Sequence, residues 1–139
     1  NGENYNDSLV NISIGDNSII ITNPPYLAKY SAKRKGVMPS VLNYFNSCKY
    51  EDLYQLALDK CLKATRFTIA IIPETFINSS FNKKNVVLCN VLLNSPFNDT
   101  DNPVCVVCLD NKKYSDDFDI YLDDNFITTN KCIQKYKND

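Results

Sequence analysis

The sequence predicts an α/β fold in which parallel strands are joined by a crossover helix and followed by a C-terminal antiparallel hairpin. Three observations lead there. Apolar, β-branched runs at Ile19-Ile20-Ile21 and at Phe67 to Ile72 flank the stretch Glu51 to Ala64, whose apolar residues recur every three or four positions. Strand, helix, strand at that spacing is a parallel crossover unit. Two later apolar runs, Val86 to Leu93 and Val104 to Leu109, are joined by the polar connection Asn94 to Pro103 and read as the hairpin.

Taken in order, the polar residues Asn1 to Ser8 carry no element, and Val10, Ile12 and Ile14 alternate with Asn11 and Ser13 as in a short, half-exposed strand. Gly15-Asp16-Asn17 supplies turn chemistry. Ser18 to Thr22 has the uniformly apolar centre expected of a strand covered on both faces. It delivers Asn23 to the carboxyl edge, where open α/β sheets place ligands. Leu27 to Tyr50 shows no strong period. In the helix, Leu53, Leu56, Ala57, Cys61 and Ala64 form the apolar stripe, with Glu51 and Asp52 in the first turn and Lys60 and Lys63 in the last. Pro73 stops the next strand, and Glu74-Thr75-Phe76 begins a turn or short helix in which Glu74 reads as a capping or dipole residue. Beyond Asp110 the chain turns polar and acidic. Ile120, Leu122 and Phe126 suggest one further strand, and Lys131 to Asp139 a frayed end.

A chain of 139 residues with these patterns forms one domain with a real core. Its net charge of -1 excludes a generally basic nucleic-acid binder, so any contact to DNA has to come from a local patch. No run approaches the roughly 18 apolar residues of a membrane span and no leader pattern opens the chain, which points to a soluble, cytoplasmic protein. The six cysteines, at 48, 61, 89, 105, 108 and 132, lie within apolar periodic segments. Cys105 and Cys108 form a C-x-x-C inside a strand, where a three-residue step puts them on opposite faces, so neither zinc nor a disulfide suits them. Buried reduced cysteine and no metal are expected.

The chemistry centres on Thr22-Asn23-Pro24-Pro25-Tyr26. Proline fixes φ and the residue before it is forced into extended geometry, so Asn23, Pro24 and Pro25 make a stiff corner at a strand end. The Asn23 side-chain oxygen and the Pro24 carbonyl can accept both protons of one amino group on a planar ring or an amide, with Tyr26 flat against it. Pulling those protons out of plane relocalises the lone pair and lets the amine attack an electrophile directly, by electrostatic preorganisation and without the histidine that this chain lacks. Lys29, Lys33, Arg34 and Lys35 follow at once, four positive charges in seven residues. In isolation such a cluster is often a solvated loop, but beside the corner it can hold a phosphate backbone.

At these residues the sequence resembles the amino-methyltransferases that use S-adenosylmethionine and carry Asn-Pro-Pro-Tyr or a close variant after their fourth strand. Ile71-Ile72-Pro73-Glu74-Thr75-Phe76 and Pro96-Phe97-Asn98-Asp99-Thr100-Asp101 look like the following strand end and loop in the adenine-specific DNA enzymes of restriction-modification systems. The resemblance covers residues 18 to 110. It implies a partial Rossmann-like methyltransferase sheet, S-adenosylmethionine as cofactor, and DNA as partner. Asn23, Pro24 and Tyr26 would act on a flipped adenine, with Pro25, Phe97, Lys29, Lys33, Arg34 and Lys35 on the substrate side and Phe97 stacking on the second face of the base.

The chain departs from that family in its cofactor half. Only three glycines occur, at 2, 15 and 36, and none opens a helix after a strand as a cofactor-cradling turn would. The expectation is therefore a catalytic and base-binding half over residues 1–110, with 111–139 an acidic connector or the start of an extension. A cofactor-binding segment or partner chain and a target-recognition domain would be supplied from elsewhere, leaving this piece inactive alone. Two alternatives stay open: an amino-methyltransferase acting on a protein glutamine or an RNA guanine, and a non-enzymatic remnant or interaction module.

Overall fold

The computed structural model describes residues 18–25, 50, 52–93 and 103–137. Six strands form one mixed sheet: β1 (Ile19–Thr22), β2 (Phe67–Pro73), β3 (Val86–Leu92), β4 (Val104–Asp110), β5 (Asp119–Leu122) and β6 (Asn125–Thr129), in the order β1-β2-β4-β3-β5-β6. The β1–β2 and β3–β5 pairs are parallel and the others antiparallel. Helix α1 (Leu53–Ala64) crosses from the end of β1 to the start of β2, as the strand-helix-strand pattern predicts. The expected α/β class, crossover helix and antiparallel β3–β4 hairpin are all present.

Alternation explains which face is buried. Thr68, Ala70 and Ile72 of β2, Cys89 and Val91 of β3, Cys105, Val107 and Leu109 of β4 and Ile120 of β5 point to one face. Tyr54 and Leu58 of α1 join these side chains in a common core. Asp52 caps the helix as its N-cap, its carboxylate accepting from the Tyr54 N–H at 3.2 Å. It thus sits one residue outside the first turn where the sequence placed it. At the other end of α1, the Asn111 amide donates to the Leu62 and Thr65 carbonyls at 3.1 and 2.9 Å, satisfying groups the helix leaves open. Cys105 is buried and Cys108 partly exposed, on opposite faces as expected, and the described cysteines are free.

Three expectations are corrected. β1 is not covered on both faces: Ile19 is 58 % and Ile21 77 % exposed, so the face these alternate residues share is open, and the strand is the margin of the described sheet. The acidic segment holds two strands, not one, since β5 and β6 form a hairpin through Asp123 and Asp124, both in the left-handed region at φ 47° and 71°. The frayed end is instead helix α2 (Asn130–Lys137). The Asn130 N–H donates to the Phe118 carbonyl at 2.9 Å, its side-chain amide donates to the Asp116 carbonyl at 2.8 Å, and Ile133 packs on the core. The strand expected at Val10 to Ile14 lies outside the described residues. No described helix is long and apolar enough to cross a membrane.

Candidate active site at the carboxyl edge

β1 and β2 run side by side in register from Ile19↔Phe67 to Thr22↔Ala70, so both end at the same edge of the sheet. β2 continues three residues past the last registered pair, to Pro73. At that edge Asn23 is exposed, Pro24 buried and Pro25 exposed. The buried ring and the φ it fixes anchor the corner beside the exposed Asn23.

Two further segments reach the same edge. Pro73 is in register with Val104 and Val104 with Leu92, so both ends of the connection between β3 and β4 emerge there. The Glu74 N–H donates to the Pro103 carbonyl at 3.2 Å and ties this connection to the end of β2. Glu74 then opens the 3-10 helix Glu74–Asn78, which supplies the short helix expected after Pro73. Its N-cap, Pro73, makes no side-chain capping bond, so the turn is held by the Pro103 contact and by the buried Phe76 and Ile77.

Beneath the edge, Cys105 donates its thiol to the Pro73 carbonyl at 3.9 Å. A hydrogen bond with Cys89, followed by burial, pushes the Cys105 thiol far above its ordinary value, and the Glu74 charge adds to this. Burial also pushes Cys61 up to about 11 and raises Cys108. These thiols stay protonated near neutrality.

Residues that the sequence did not single out complete this edge. Asp123 accepts from the Leu93 N–H at 3.1 Å and its own N–H donates to the Val91 carbonyl at 2.8 Å. Asn90 and Asp124 bond reciprocally, at 2.6 Å from the Asn90 amide to the Asp124 carboxylate and 3.0 Å from the Asp124 N–H to the Asn90 oxygen. The β5–β6 turn thus clamps the root of the connection that carries Phe97. Of the predicted site residues, Asn23, Pro24 and Pro25 stand together at the edge. Tyr26, Lys29, Lys33, Arg34, Lys35 and Phe97 lie outside the described residues. Among the described residues no cluster of ligating side chains could hold a metal.

No protein-family profile and no curated protein matches the chain. Solved structures do. One is assigned as the modification subunit of a type I restriction enzyme from Vibrio vulnificus YJ016, with a TM-score of 0.52, 15% identity, and coverage of 90% of this chain and 32% of that one. Another is assigned as a class I S-adenosylmethionine-dependent methyltransferase from Listeria monocytogenes, with a TM-score of 0.51, 15% identity, and coverage of 82% and 38%. At that identity the likeness shows a fold in common: a partial Rossmann-like sheet of the methyltransferase type. The chain spans about a third of the length of each of these proteins.

Proposed function

We propose that this chain is the base-binding half of an adenine-specific DNA methyltransferase of a restriction-modification system, using S-adenosylmethionine. The observation that carries the reading is the Asn23-Pro24-Pro25 corner, with an exposed asparagine beside a buried proline at the carboxyl edge of a parallel strand pair. The fold shared with a restriction-enzyme modification subunit and an S-adenosylmethionine-dependent methyltransferase supports it.

In this reading the Asn23 side-chain oxygen and the Pro24 carbonyl accept the two protons of the adenine amine and hold its lone pair outward. Tyr26, and Phe97 from the connection rooted at Leu92 and Val104, stack on the flipped base, and Pro25 shapes the rim. Lys29, Lys33, Arg34 and Lys35 hold the phosphates beside it. When bound, S-adenosylmethionine supplies the electrophilic methyl group. No described residue lies in a glycine-rich turn after a strand, so no cofactor contact is assigned to this chain. A cofactor-binding segment or partner chain provides it, and a target-recognition domain reads the DNA sequence. Residues 1–110 form the base-binding half, and 111–139 begin an extension that adds β5 and β6 to the same sheet and α2 after them.

The test combines the chain with a segment carrying the glycine-rich half and measures methyl transfer to duplex DNA, to a release factor and to RNA. Duplex DNA should be methylated at adenine, and Asn23→Ala should lower turnover by at least about a hundredfold while leaving cofactor binding unchanged. Turnover preserved in the variant overturns the role of Asn23. Transfer to glutamine or guanine instead of adenine replaces the substrate, and no transfer to any of the three favours a non-enzymatic module.

A further inference from the structure

A second concave feature lies away from the corner. The 77–84 segment, the residues Tyr114 to Asp116 and one face of α2 enclose a cleft of about 710 Å³, open to solvent. It is within the range of about 300–1,000 Å³ usual for ligand sites. Lys84 precedes β3 and Tyr114 follows the end of β4, both at the amino edge of the sheet. A seven-residue strand separates this edge from the carboxyl edge, about 20 Å at the usual rise. The cleft is therefore not part of the candidate base site.

Its lining has an unusual charge balance for a chain of net charge -1. Lys83, Lys84 and Lys137 converge on it against the single carboxylate of Asp116. Their described partners are neutral. The Lys83 ammonium donates to the Ser79 carbonyl and, at 3.2 Å, to the Phe81 carbonyl, and it lies 5.4 Å from the Phe76 ring centre. Lys137 donates to the Asn78 side-chain oxygen. Lys84 sits 5.3 Å over the Tyr114 ring, which is 77 % exposed. Burial holds Lys83 below the ordinary lysine value; Cys89 opposes this and the neighbouring Lys137 charge adds to it. Asn82, Asn130 and Gln134 add amides around the same space.

We propose that this cleft binds a segment of single-stranded nucleic acid, with phosphates on Lys83, Lys84 and Lys137 and one base stacked on the exposed face of Tyr114. Fixed cations beside an aromatic platform are the usual means of holding an unpaired strand. The open shape lets a strand enter and leave, and a base paired in a duplex has no free face to offer Tyr114.

The full chain is titrated against a labelled oligothymidylate of about twelve nucleotides by fluorescence anisotropy at several salt concentrations. Lys84→Gln combined with Lys137→Gln should weaken binding at least about tenfold and reduce the log-log salt slope by about 1.4. Tyr114→Ala should weaken it about fivefold or more. The matched pair Lys131→Gln with Lys135→Gln, on exposed positions of α2 outside the cleft, should change it less than about twofold. The Lys84→Gln, Lys137→Gln variant should keep the methyl transfer measured under the proposed function, so failure of the methyl-transfer reading and failure of this one are separable. Equal weakening by both lysine pairs would mean diffuse attraction and overturn the site. Displacement of the strand by equimolar thymidine monophosphate, equal affinity for duplex, or indifference to Tyr114→Ala would overturn the assigned ligand.

Discussion

The two edges of the sheet are made of different chemistry. The described polar and proline residues of the carboxyl edge include Asn23, Pro24, Pro25, Pro73, Glu74, Asn90, Pro103, Asp123 and Asp124. Lys63, Arg66, Lys84, Lys112 and Lys113 flank the strand ends at the amino edge, interspersed with Asp110, Asp116, Asp117 and Asp119. Prolines remove soft dihedrals and leave carbonyl and carboxamide oxygens at fixed positions, which suits a neutral amine. An ammonium placed among those oxygens would compete with the amine for them. Long cationic side chains suit a polyanion and need no such rigidity. A protein that handles both can keep them apart and bring cations to the amine only on a loop. In the proposed reading, Lys29, Lys33, Arg34 and Lys35 supply those cations.

The strongest way to break this contrast is to cut the piece that links the edges. Phe76 is fully buried in the 3-10 helix that leaves the carboxyl edge. Its ring centre lies 6.3 Å from Tyr54 and 5.5 Å from Phe81, and the Lys83 ammonium lies over it. Phe76→Ala should cost about 3–5 kcal/mol in denaturant unfolding, since the site loses both burial and packing. A loss under about 1 kcal/mol would mean that the two edges are anchored independently of this ring.

A smaller effect should separate the edges by pH. Tyr54, at the carboxyl-edge end of α1, has its hydroxyl pushed up from 10.0 to about 12, mainly by burial. The Gln55 amide donates to it at 3.4 Å and opposes the rise. A phenol favoured in its protonated form by folding contributes stability that is complete below pH 10 and lost as pH rises through about 12. Two pH units correspond to about 2–3 kcal/mol. Tyr54→Phe should remove that share of the alkaline loss, leaving a flatter stability curve between about pH 9 and 12. An unchanged alkaline limb would show that the hydroxyl is already wet in the native state.

How much of this could be read beforehand depended on whether the cause was local. The β1–α1–β2 unit was legible because periodicity and proline stops are written within each segment, and so was the end of β1 ahead of Pro24 and Pro25. The exposure of Ile19 and Ile21 was not, since an apolar strand reads the same whether or not its neighbours cover it. The β5–β6 hairpin was missed because its turn is Asp123-Asp124 instead of a glycine-containing pair. Those positive φ values are supported by Asn90 and the Leu93 N–H, about thirty residues away in sequence. α2 was read as a frayed end for a similar reason. It buries only Asn130, and its anchors are the Phe118 and Asp116 carbonyls of another segment.

The smallest expected effect belongs to the amino edge. The Arg66 guanidinium donates to the two Asp110 carboxylate oxygens at 3.1 and 3.3 Å, and the Lys112 N–H donates at 2.9 Å. Arg66, and after it Lys112, hold the Asp110 carboxyl below its ordinary value. A depressed carboxyl contributes stability that is present above its unfolded value, about 3.9, and is lost as pH falls through the lower folded value. Because Arg66 is half exposed, solvent screens the pair, and Asp110→Asn should cost no more than about 1 kcal/mol at neutral pH. Measured from pH 7 downward, the difference between wild type and variant should shrink once wild-type Asp110 protonates. A difference that persists at pH 2 would assign the loss to packing at the end of β4, and the cations of this edge would then be held by the fold without help from their acid.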